Sequence, residues 1–229
     1  MTSIIFPGQG SQFLGMAKDF YDNFPESKNA FLEIEETTNL NLKKIIFGDN
    51  SSLLNITNIT QVAIFAASIS IFRALESNFN IGKISNMLGH SLGEYSALAA
   101  GKSLTIAQAS TLLKIRGELM NSVIEPNTTS MAALIGKNSS DIENIISENH
   151  LNVEIANDNS PGQVVISGSN DDIEKSEKIL TNVGIKRFVK LNVSAAFHSK
   201  YMKEAQDKLN LEIDKTKFKE PICPIISNY

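Results

Sequence analysis

The pentapeptide GHSLG at residues 89–93 restricts the fold of this 229-residue chain more than any other stretch. It follows the apolar run Ile84–Leu88, which predicts a buried strand, and precedes Glu94–Ala100, which predicts a helix. So tight a turn needs small neighbours, and glycine stands two positions before and after Ser91. The pattern predicts an α/β protein with the Ser91 hydroxyl exposed at a helix N-terminus. The alternative is a glycine-rich turn with an incidental serine.

A second glycine loop, PGQGSQ at residues 7–12, follows the predicted strand Ser3–Phe6. It lacks the third glycine and the lysine that mark phosphate-binding loops. Glycine loops also let the backbone approach a substrate oxygen closely. We expect the backbone N–H groups of Gln9 and Leu92 to form an oxyanion hole near Ser91.

The segment from Met131 to Leu191 contains six predicted elements in the order strand, helix, strand, strand, helix, strand. This βαββαβ order is that of the ferredoxin-like fold. We therefore expect a ferredoxin-like subdomain at residues 126–193, inserted into a larger α/β core formed by residues 1–125 and 194–229. Because Cys223–Ser227 predicts a core strand that no helix follows, we expect this core to be incomplete at its C-terminal end.

Composition argues against several functional classes. The 21 lysines and arginines against 25 aspartates and glutamates give a net charge of -4, without a basic run, which argues against nucleic-acid binding. The single cysteine, Cys223, excludes an intrachain disulfide and a cysteine-rich metal site. The longest apolar run, near Val62–Phe72, is far shorter than the roughly 20 residues of a membrane span, and no secretory signal is evident. We expect a cytoplasmic protein, or one of the plastid stroma if it is organellar.

A serine nucleophile needs a base that accepts its proton, and the chain offers 3 histidines. The side chain of His90 should point away from its neighbour Ser91, so we expect it to pack in the core. His150 follows a predicted surface helix and should be solvated. His198 lies where the predicted subdomain returns to the core, among small residues that leave room for a substrate, and is the candidate base.

Arg116 occupies an otherwise apolar predicted helix, Thr105–Val123. A guanidinium is costly to bury without an anion, and its planar fork matches a carboxylate with two parallel hydrogen bonds. Two interpretations stay open: an ion pair with Glu118 or Glu94, which the residues alone favour, and a site for the carboxylate of a substrate.

Five stretches together resemble the malonyl-CoA:acyl carrier protein transacylases in order and approximate spacing. They are PGQGSQ at 7–12, GHSLGEY at 89–95, Arg116-Gly117, NSPGQVV at 159–165 and Phe197-His198. The resemblance covers the whole chain, and the combination is far more specific than any single motif. It implies an α/β-hydrolase-like core with an inserted ferredoxin-like βαββαβ subdomain. Members of the family usually continue beyond the position of Tyr229, and they often have proline where this chain has Val62.

The resemblance implies a role for each matching residue. Ser91 resembles the nucleophile that becomes acylated, His198 its base, and Arg116 the group that holds the free malonyl carboxylate. Gln9 and Leu92 match the oxyanion hole through their backbone amides.

Three further substrate contacts are implied by the resemblance alone. Asn159 and Gln163 match a stretch that lies near the cleft between domains in the family, and Phe197 would crowd a branched methylmalonyl group. The matches imply transfer of a malonyl group from malonyl-CoA to the phosphopantetheine thiol of acyl carrier protein. The expected route is a malonyl-serine intermediate with ping-pong kinetics, which supplies extender units for fatty acid synthesis.

The implied partners are malonyl-CoA and acyl carrier protein, with neither nucleic acid nor membrane, and we expect a monomer. No bound cofactor or metal is expected, because phosphopantetheine is carried by the partner protein. Two alternatives stay open. A serine esterase or thioesterase with the same turn would deliver the acyl group to water and would have no use for Arg116. The chain could also be an inactive truncated fragment.

Overall fold

The structure is a computed structural model that describes residues 1–125, 128–193 and 195–228. The chain folds into two compact units, Met1–Glu118 with Leu209–Tyr229, and Leu119–Lys208. The residues at which we expected the inserted subdomain to begin and the core to resume, Pro126 and Ser194, lie outside the described residues. The expected domain boundaries therefore stay a prediction.

Strands and α-helices alternate along much of the described chain. The strands are β1 (Thr2–Phe6), β2 (Ile84–Gly89), β3 (Thr129–Ile135), β4 (Glu154–Ser160), β5 (Gln163–Ser169), β6 (Arg187–Lys190) and β7 (Ile225–Ile226). The helices are α1 (Lys18–Asn23), α2 (Pro25–Thr38), α3 (Leu42–Ile46), α4 (Thr57–Asn78), α5 (Gly93–Ala100), α6 (Ile106–Ser122), α7 (Ser139–Glu148), α8 (Asn170–Asn182) and α9 (Lys203–Lys215). Short 3-10 helices span Ser51–Asn55 and Lys200–Met202. The predicted α/β class is confirmed.

The first unit contains a parallel sheet in the order β1-β2-β7. Phe6 pairs with Gly89, and Leu88 pairs with Ile226, so the three strands end at the same edge. The loops after β1 and β2 lie at that edge, where α/β proteins place their ligands. The sheet and α5 confirm the predicted order of strand, turn and helix around Ser91.

Helix α4 forms the centre of the core of the first unit. Val62, Phe65 and Ile69 are almost completely buried on it. The helix is long and apolar enough to cross a membrane, but most of that apolar stretch is buried inside the protein, as is typical of a core helix. Its burial gives α6 and the sheet a fixed surface to pack against.

Thr60 stands just before the apolar positions that recur along this helix, so the sequence predicts it as the N-cap, and this prediction is wrong. The helix begins at Thr57, and Thr60 lies fully buried in its first turn. The Thr60 hydroxyl donates to the carbonyl oxygens of Leu54 (2.5 Å) and Ile56 (3.0 Å). Leu54 belongs to the 3-10 helix before α4, so the hydroxyl connects that helix to α4 instead of capping a helix end.

The second unit contains an antiparallel sheet in the order β4-β5-β3-β6. With α7 and α8 these strands follow the chain order βαββαβ, which agrees with the predicted ferredoxin-like subdomain. The helices and the sheet share one apolar cluster. Its buried members are Ala132, Leu134, Ile142, Leu151, Val153, Val164, Ile166, Ile173, Leu180 and Ile185.

Helices α2 and α3 were not predicted from the sequence. In α2 the buried apolar side chains are confined to Ala30, Phe31 and Ile34, and polar residues dominate the remainder. So narrow an apolar stripe gives a weak periodic signal, although it suffices to pack the helix against α4.

Three predicted elements have different bounds in the structure. The polar stretch Asn157–Gly162 predicts a turn after a strand that ends at Ala156, but β4 continues to Ser160, because Asp158 and Ser160 pair with β5. Helical character in the sequence extends from Ser199 to Leu211, but the helix begins at Lys203, since a 3-10 turn precedes it, and it ends at Lys215. The last strand shortens to two residues, because only Ile225 and Ile226 pair with β2.

Candidate active site

The turn between β2 and α5 holds Ser91 in a conformation that residues with side chains rarely adopt. Its φ angle is 52°, in the left-handed region. A Cβ on Gly89 would lie 2.0 Å from the carbonyl group of Gly93, and a Cβ on Gly93 would lie 2.5 Å from the carbonyl oxygen of Phe6. Close contact of backbone with backbone therefore requires both glycines and fixes the position of Ser91.

Backbone hydrogen bonds join this turn to the end of β1. His90 N–H donates to the carbonyl oxygen of Phe6 (3.0 Å), and Gly93 N–H donates to the carbonyl oxygen of His90 (2.9 Å). The N–H groups of Gln9 and Leu92 donate to no acceptor within residues 1–125, 128–193 and 195–228. Two amides on adjacent loops are thus available to an oxygen atom of a ligand.

The guanidinium of Arg116, on α6, contacts both Ser91 and Gln61. Its Nη2 donates to Ser91 Oγ (3.0 Å), and its Nη1 donates to Gln61 Oε1 (2.6 Å). Ser91 is half-buried and not fully exposed as expected, because Arg116 lies against its hydroxyl. The interpretation of an internal ion pair is wrong for the described residues, since the fork points to a hydroxyl and an amide and not to Glu94 or Glu118.

Burial governs the electrostatics of this group. It lowers the pKa of the Arg116 guanidinium, while the nearby Tyr95 and Glu94 act in the opposite direction. Burial also raises the pKa of the Tyr95 phenol, which therefore stays neutral near pH 7. Because a guanidinium keeps its proton in proteins, the hydroxyl of Ser91 has a cation as its hydrogen-bond donor.

Gln61 is a site residue that the sequence patterns did not identify. It lies in the second turn of α4, and its side chain is fully buried. The available signal was its position, because an amide that enters a core on an apolar helix must find a polar partner there. That partner is Arg116, which Gln61 holds from the side opposite to Ser91.

All three histidines are exposed. The prediction that His90 packs in the core is wrong, because the turn lies beyond the end of β2 and its imidazole lies against Gly8; a Cβ on Gly8 would come within 2.5 Å of His90 Nδ1. His150 is exposed, as predicted. His198 belongs to the second unit and has a φ angle of 54°.

The remaining predicted site residues also belong to the second unit. Phe197 is 4% exposed, and its carbonyl oxygen accepts a hydrogen bond from Ser167 Oγ (2.6 Å). Asn159, in β4, and Gln163, at the start of β5, are exposed beside the hairpin that joins these strands. The roles of Phe197, Asn159, Gln163 and His198 stay predictions.

Within the first unit the structure brings Ser91 together with Arg116 and Gln61, next to the amide of Leu92. In the part of the chain that the structure describes, no three or more histidine, cysteine, aspartate or glutamate side chains are grouped so that they could hold a metal ion. The chemistry visible in this unit is a serine hydroxyl, a cation and free backbone N–H groups. These are the components of acyl transfer through a serine ester, with a carboxylate as the anion that Arg116 would bind.

Comparisons with known proteins agree with this chemistry. The acyl transferase domain model matches residues 4–229. A malonyl CoA-acyl carrier protein transacylase of Bacillus subtilis is 36% identical over 99% of this chain and 72% of its own length. A polyketide biosynthesis malonyl CoA-acyl carrier protein transacylase of the same organism is 35% identical over 100% of this chain and 77% of its own length.

Solved structures support the same assignment. A malonyl-transacylase solved in complex with a type II polyketide synthase acyl-carrier protein has a TM-score of 0.93 and 36% identity, over 99% of this chain and 74% of that chain. An acyl-carrier-protein S-malonyltransferase of Bartonella henselae has a TM-score of 0.92 and 36% identity, over 100% and 74%. With its family model, its relatives and its fold in agreement, the chain belongs to the malonyl-CoA:acyl carrier protein transacylase family of acyl transferases.

Proposed function

We propose that the chain transfers a malonyl group from malonyl-CoA to the phosphopantetheine thiol of acyl carrier protein, through a malonyl ester of Ser91. The observation that carries this proposal is the hydrogen bond from the Arg116 guanidinium to Ser91 Oγ, which puts a carboxylate-binding cation beside a candidate nucleophile. The names of the relatives support the same activity, and one relative was solved with its acyl-carrier protein. The product supplies extender units for fatty acid synthesis, and the polyketide relatives are named for the same transfer.

In the first half-reaction His198 accepts the proton of Ser91 while Oγ attacks the thioester carbonyl carbon of malonyl-CoA. The carbonyl oxygen becomes an oxyanion that accepts hydrogen bonds from the N–H groups of Gln9 and Leu92. When the tetrahedral intermediate collapses, the bond from carbon to sulfur breaks. Coenzyme A leaves as a thiol with the proton from His198, and the malonyl group remains as an ester of Ser91.

The second half-reaction reverses these steps with a different thiol. His198 accepts the proton of the phosphopantetheine thiol, and the sulfur attacks the ester carbonyl carbon. The bond to Ser91 Oγ then breaks, and the hydroxyl regains its proton from His198. The two half-reactions balance without a cofactor, because CoA and acyl carrier protein are the donor and the acceptor.

Arg116 selects acyl groups that end in a carboxylate. In the proposed complex its fork turns from Ser91 Oγ to the malonyl carboxylate, while Gln61 continues to accept from Nη1. An acetyl group offers no such acceptor. Hydrogen bonds to charged groups contribute about 1.5–3 kcal/mol, which corresponds to a preference of roughly 10- to 150-fold for malonyl over acetyl.

We also propose supporting roles for residues of the second unit. Phe197 would limit the space next to the malonyl methylene and so exclude a methylmalonyl branch; its burial gives the ring a fixed position. Asn159 and Gln163 would contact substrate through exposed amides. We further propose a monomer that acts in the cytoplasm, in keeping with the bacterial relatives that it matches.

A labelling experiment tests this function directly. The protein is incubated with radiolabelled malonyl-CoA, and the labelled peptide is identified by mass spectrometry. We expect one malonyl group on Ser91, none on Ser91→Ala, and discharge of the label to the thiol of added acyl carrier protein. Absence of label on Ser91 would contradict the proposal.

The same experiment distinguishes the hydrolase alternative. In the absence of acyl carrier protein, a transacylase should hold the ester, whereas an esterase or thioesterase would release free malonate continuously. Release of malonate as fast as transfer to the carrier would support the hydrolase.

A further inference from the structure

We propose that Asn228 is a positioning residue that fixes the turn carrying Ser91, and that Glu94 orients it. Asn228 follows β7, two residues after Ile226. Because Ile226 pairs with Leu88 in the parallel sheet, the chain beyond β7 comes to lie beside the end of β2, where the turn begins. Residues that are 139 positions apart in the sequence thus meet at Gly89.

The side-chain amide of Asn228 bridges the two ends of the strained turn. Its Oδ1 accepts a hydrogen bond from Ser91 N–H (2.9 Å), and its Nδ2 donates to the carbonyl oxygen of Gly89 (2.6 Å). The bridge therefore spans His90 and holds the backbone on both sides of it, at the carbonyl of Gly89 and at the N–H of Ser91. The Oγ direction of Ser91 depends on this backbone geometry, because the φ angle of 52° is one that serine rarely adopts.

Glu94 determines which way the Asn228 amide faces. Its carboxylate accepts from Asn228 Nδ2 (2.6 Å), from Asn228 N–H (3.1 Å) and from Ser227 Oγ (3.0 Å). The carboxylate and the Gly89 carbonyl can only accept, so both must face Nδ2, and the Ser91 N–H can only donate, so it must face Oδ1. The network thus allows a single orientation of the amide.

The bridge also separates the roles of two backbone N–H groups of the turn, those of Ser91 and Leu92. The N-cap residue of α5, Leu92, supplies no side-chain cap, and the N–H groups of Gly93 and Glu94 donate to carbonyl oxygens of the turn itself. Asn228 takes the N–H of Ser91, while that of Leu92 stays available within the described residues. The consequence for the kinetics rests on the proposed function: the bridge keeps the Leu92 N–H, which binds the oxyanion, and the Ser91 hydroxyl in a fixed relative position during acylation.

Amide hydrogen exchange tests the contact without reference to any activity. Exchange at the Ser91 amide is measured by NMR in the full chain, in Asn228→Ala and in Asn78→Ala. Asn78, the last residue of α4, is a matched control, because its Nδ2 also donates to a backbone carbonyl and to a glutamate, those of Ala74 and Glu26, and neither belongs to the turn. We expect exchange at Ser91 to be roughly 3- to 10-fold faster in Asn228→Ala and unchanged in Asn78→Ala.

Kinetics of enzyme acylation distinguish positioning from general stability. For Asn228→Ala we expect kcat of malonyl transfer to fall roughly 3- to 10-fold with KM for malonyl-CoA unchanged. Asn228→Asp keeps the shape of the side chain but places a carboxylate against Glu94, so it should be slower still. Adding Glu94→Gln to Asn228→Asp removes the repulsion and should recover part of kcat, whereas a purely structural role predicts that the two losses add.

Unchanged exchange at Ser91 in Asn228→Ala would overturn the inference, as would faster exchange with an unchanged kcat. A double variant no faster than Asn228→Asp would overturn the role of Glu94. If the parent chain does not acylate Ser91 at all, the proposed function fails, and the exchange measurement still decides whether Asn228 holds the turn.

Discussion

Replacing Arg116 by alanine removes two hydrogen bonds whose acceptors differ in burial. Ser91 Oγ is half-buried and can bond to water once the guanidinium is gone. Gln61 is fully buried, so its Oε1 loses a donor that water cannot easily replace. The substitution should therefore change the stability of the protein and its choice of substrate through two separate contacts.

The size of each effect follows from its contact. A hydrogen bond to a charged group contributes about 1.5–3 kcal/mol, so the free energy of unfolding of Arg116→Ala should fall by about that amount. Loss of the charged partner of the malonyl carboxylate should lower kcat/KM for malonyl-CoA roughly 10- to 150-fold, from about 1.5–3 kcal/mol. The value for acetyl-CoA should stay the same or rise, because acetyl has no carboxylate to lose a contact and Ser91 Oγ no longer accepts a hydrogen bond from the guanidinium.

The assay compares transfer from malonyl-CoA and from acetyl-CoA to the same acyl carrier protein, with urea unfolding monitored in parallel. Arg73→Ala is the matched control, since Arg73 lies on α4 and pairs with Glu76 (3.1 Å) near the surface. That variant should stay within about 0.5 kcal/mol of the parent in stability and should retain its substrate preference. An equal fall in kcat/KM for both acyl donors in Arg116→Ala would refute the reasoning.

Two further predictions concern buried groups. Gln61→Met preserves the volume of the side chain but leaves Arg116 Nη1 without its acceptor. We expect the free energy of unfolding in urea to fall by about 1–3 kcal/mol and the KM for malonyl-CoA to rise. Unchanged values of both would show that the contact contributes nothing. Burial raises the pKa of the Cys223 thiol above its unfolded value, so the folded state binds the thiol proton more tightly, and the free energy of unfolding should fall as pH rises through about 8.5 and above. Urea titrations of the parent and of Cys223→Ser at pH 7 and pH 9.5 check this. An equal fall in the free energy of unfolding between the two pH values in both proteins would contradict it.

The fold around Ser91 could be predicted because the necessary information is local. An apolar strand, glycines two positions on either side of a serine and an apolar helix occupy residues 84–100 without interruption. Any chain that makes this turn needs those glycines, because backbone atoms approach within the space of a Cβ. The βαββαβ order was predictable for a similar reason, since each of its elements carries its own periodicity.

Contacts between distant parts of the sequence could not be predicted in the same way. Gln61 and Arg116 are 55 positions apart, and nothing near Gln61 indicates that a cation will face it. Asn228 meets the turn only because β7 pairs in parallel with β2, a register that a strand of two residues does not specify. Polar residues of this kind can be recognised only when the sheet order is known.

The errors at Thr60 and His90 have a common origin. Each was inferred from the residue type and its immediate neighbours, a capping hydroxyl in one case and alternation of side chains in the other. In the structure a preceding 3-10 helix supplies an acceptor to Thr60, and the turn ends the alternation before His90. Tertiary packing therefore replaced the local preference at both positions.

The Arg116 N–H that donates to Ser91 Oγ occupies one of the two lone pairs of this oxygen and so makes it less nucleophilic. On the proposed mechanism a substrate carboxylate draws the guanidinium away from Ser91 Oγ, so the oxygen loses this hydrogen bond when a suitable acyl group is bound. Thioesters without a carboxylate leave the hydrogen bond in place. Binding of the carboxylate would then both hold the malonyl group and make Ser91 more reactive. An acyl donor without a carboxylate is bound more weakly and meets a less reactive serine.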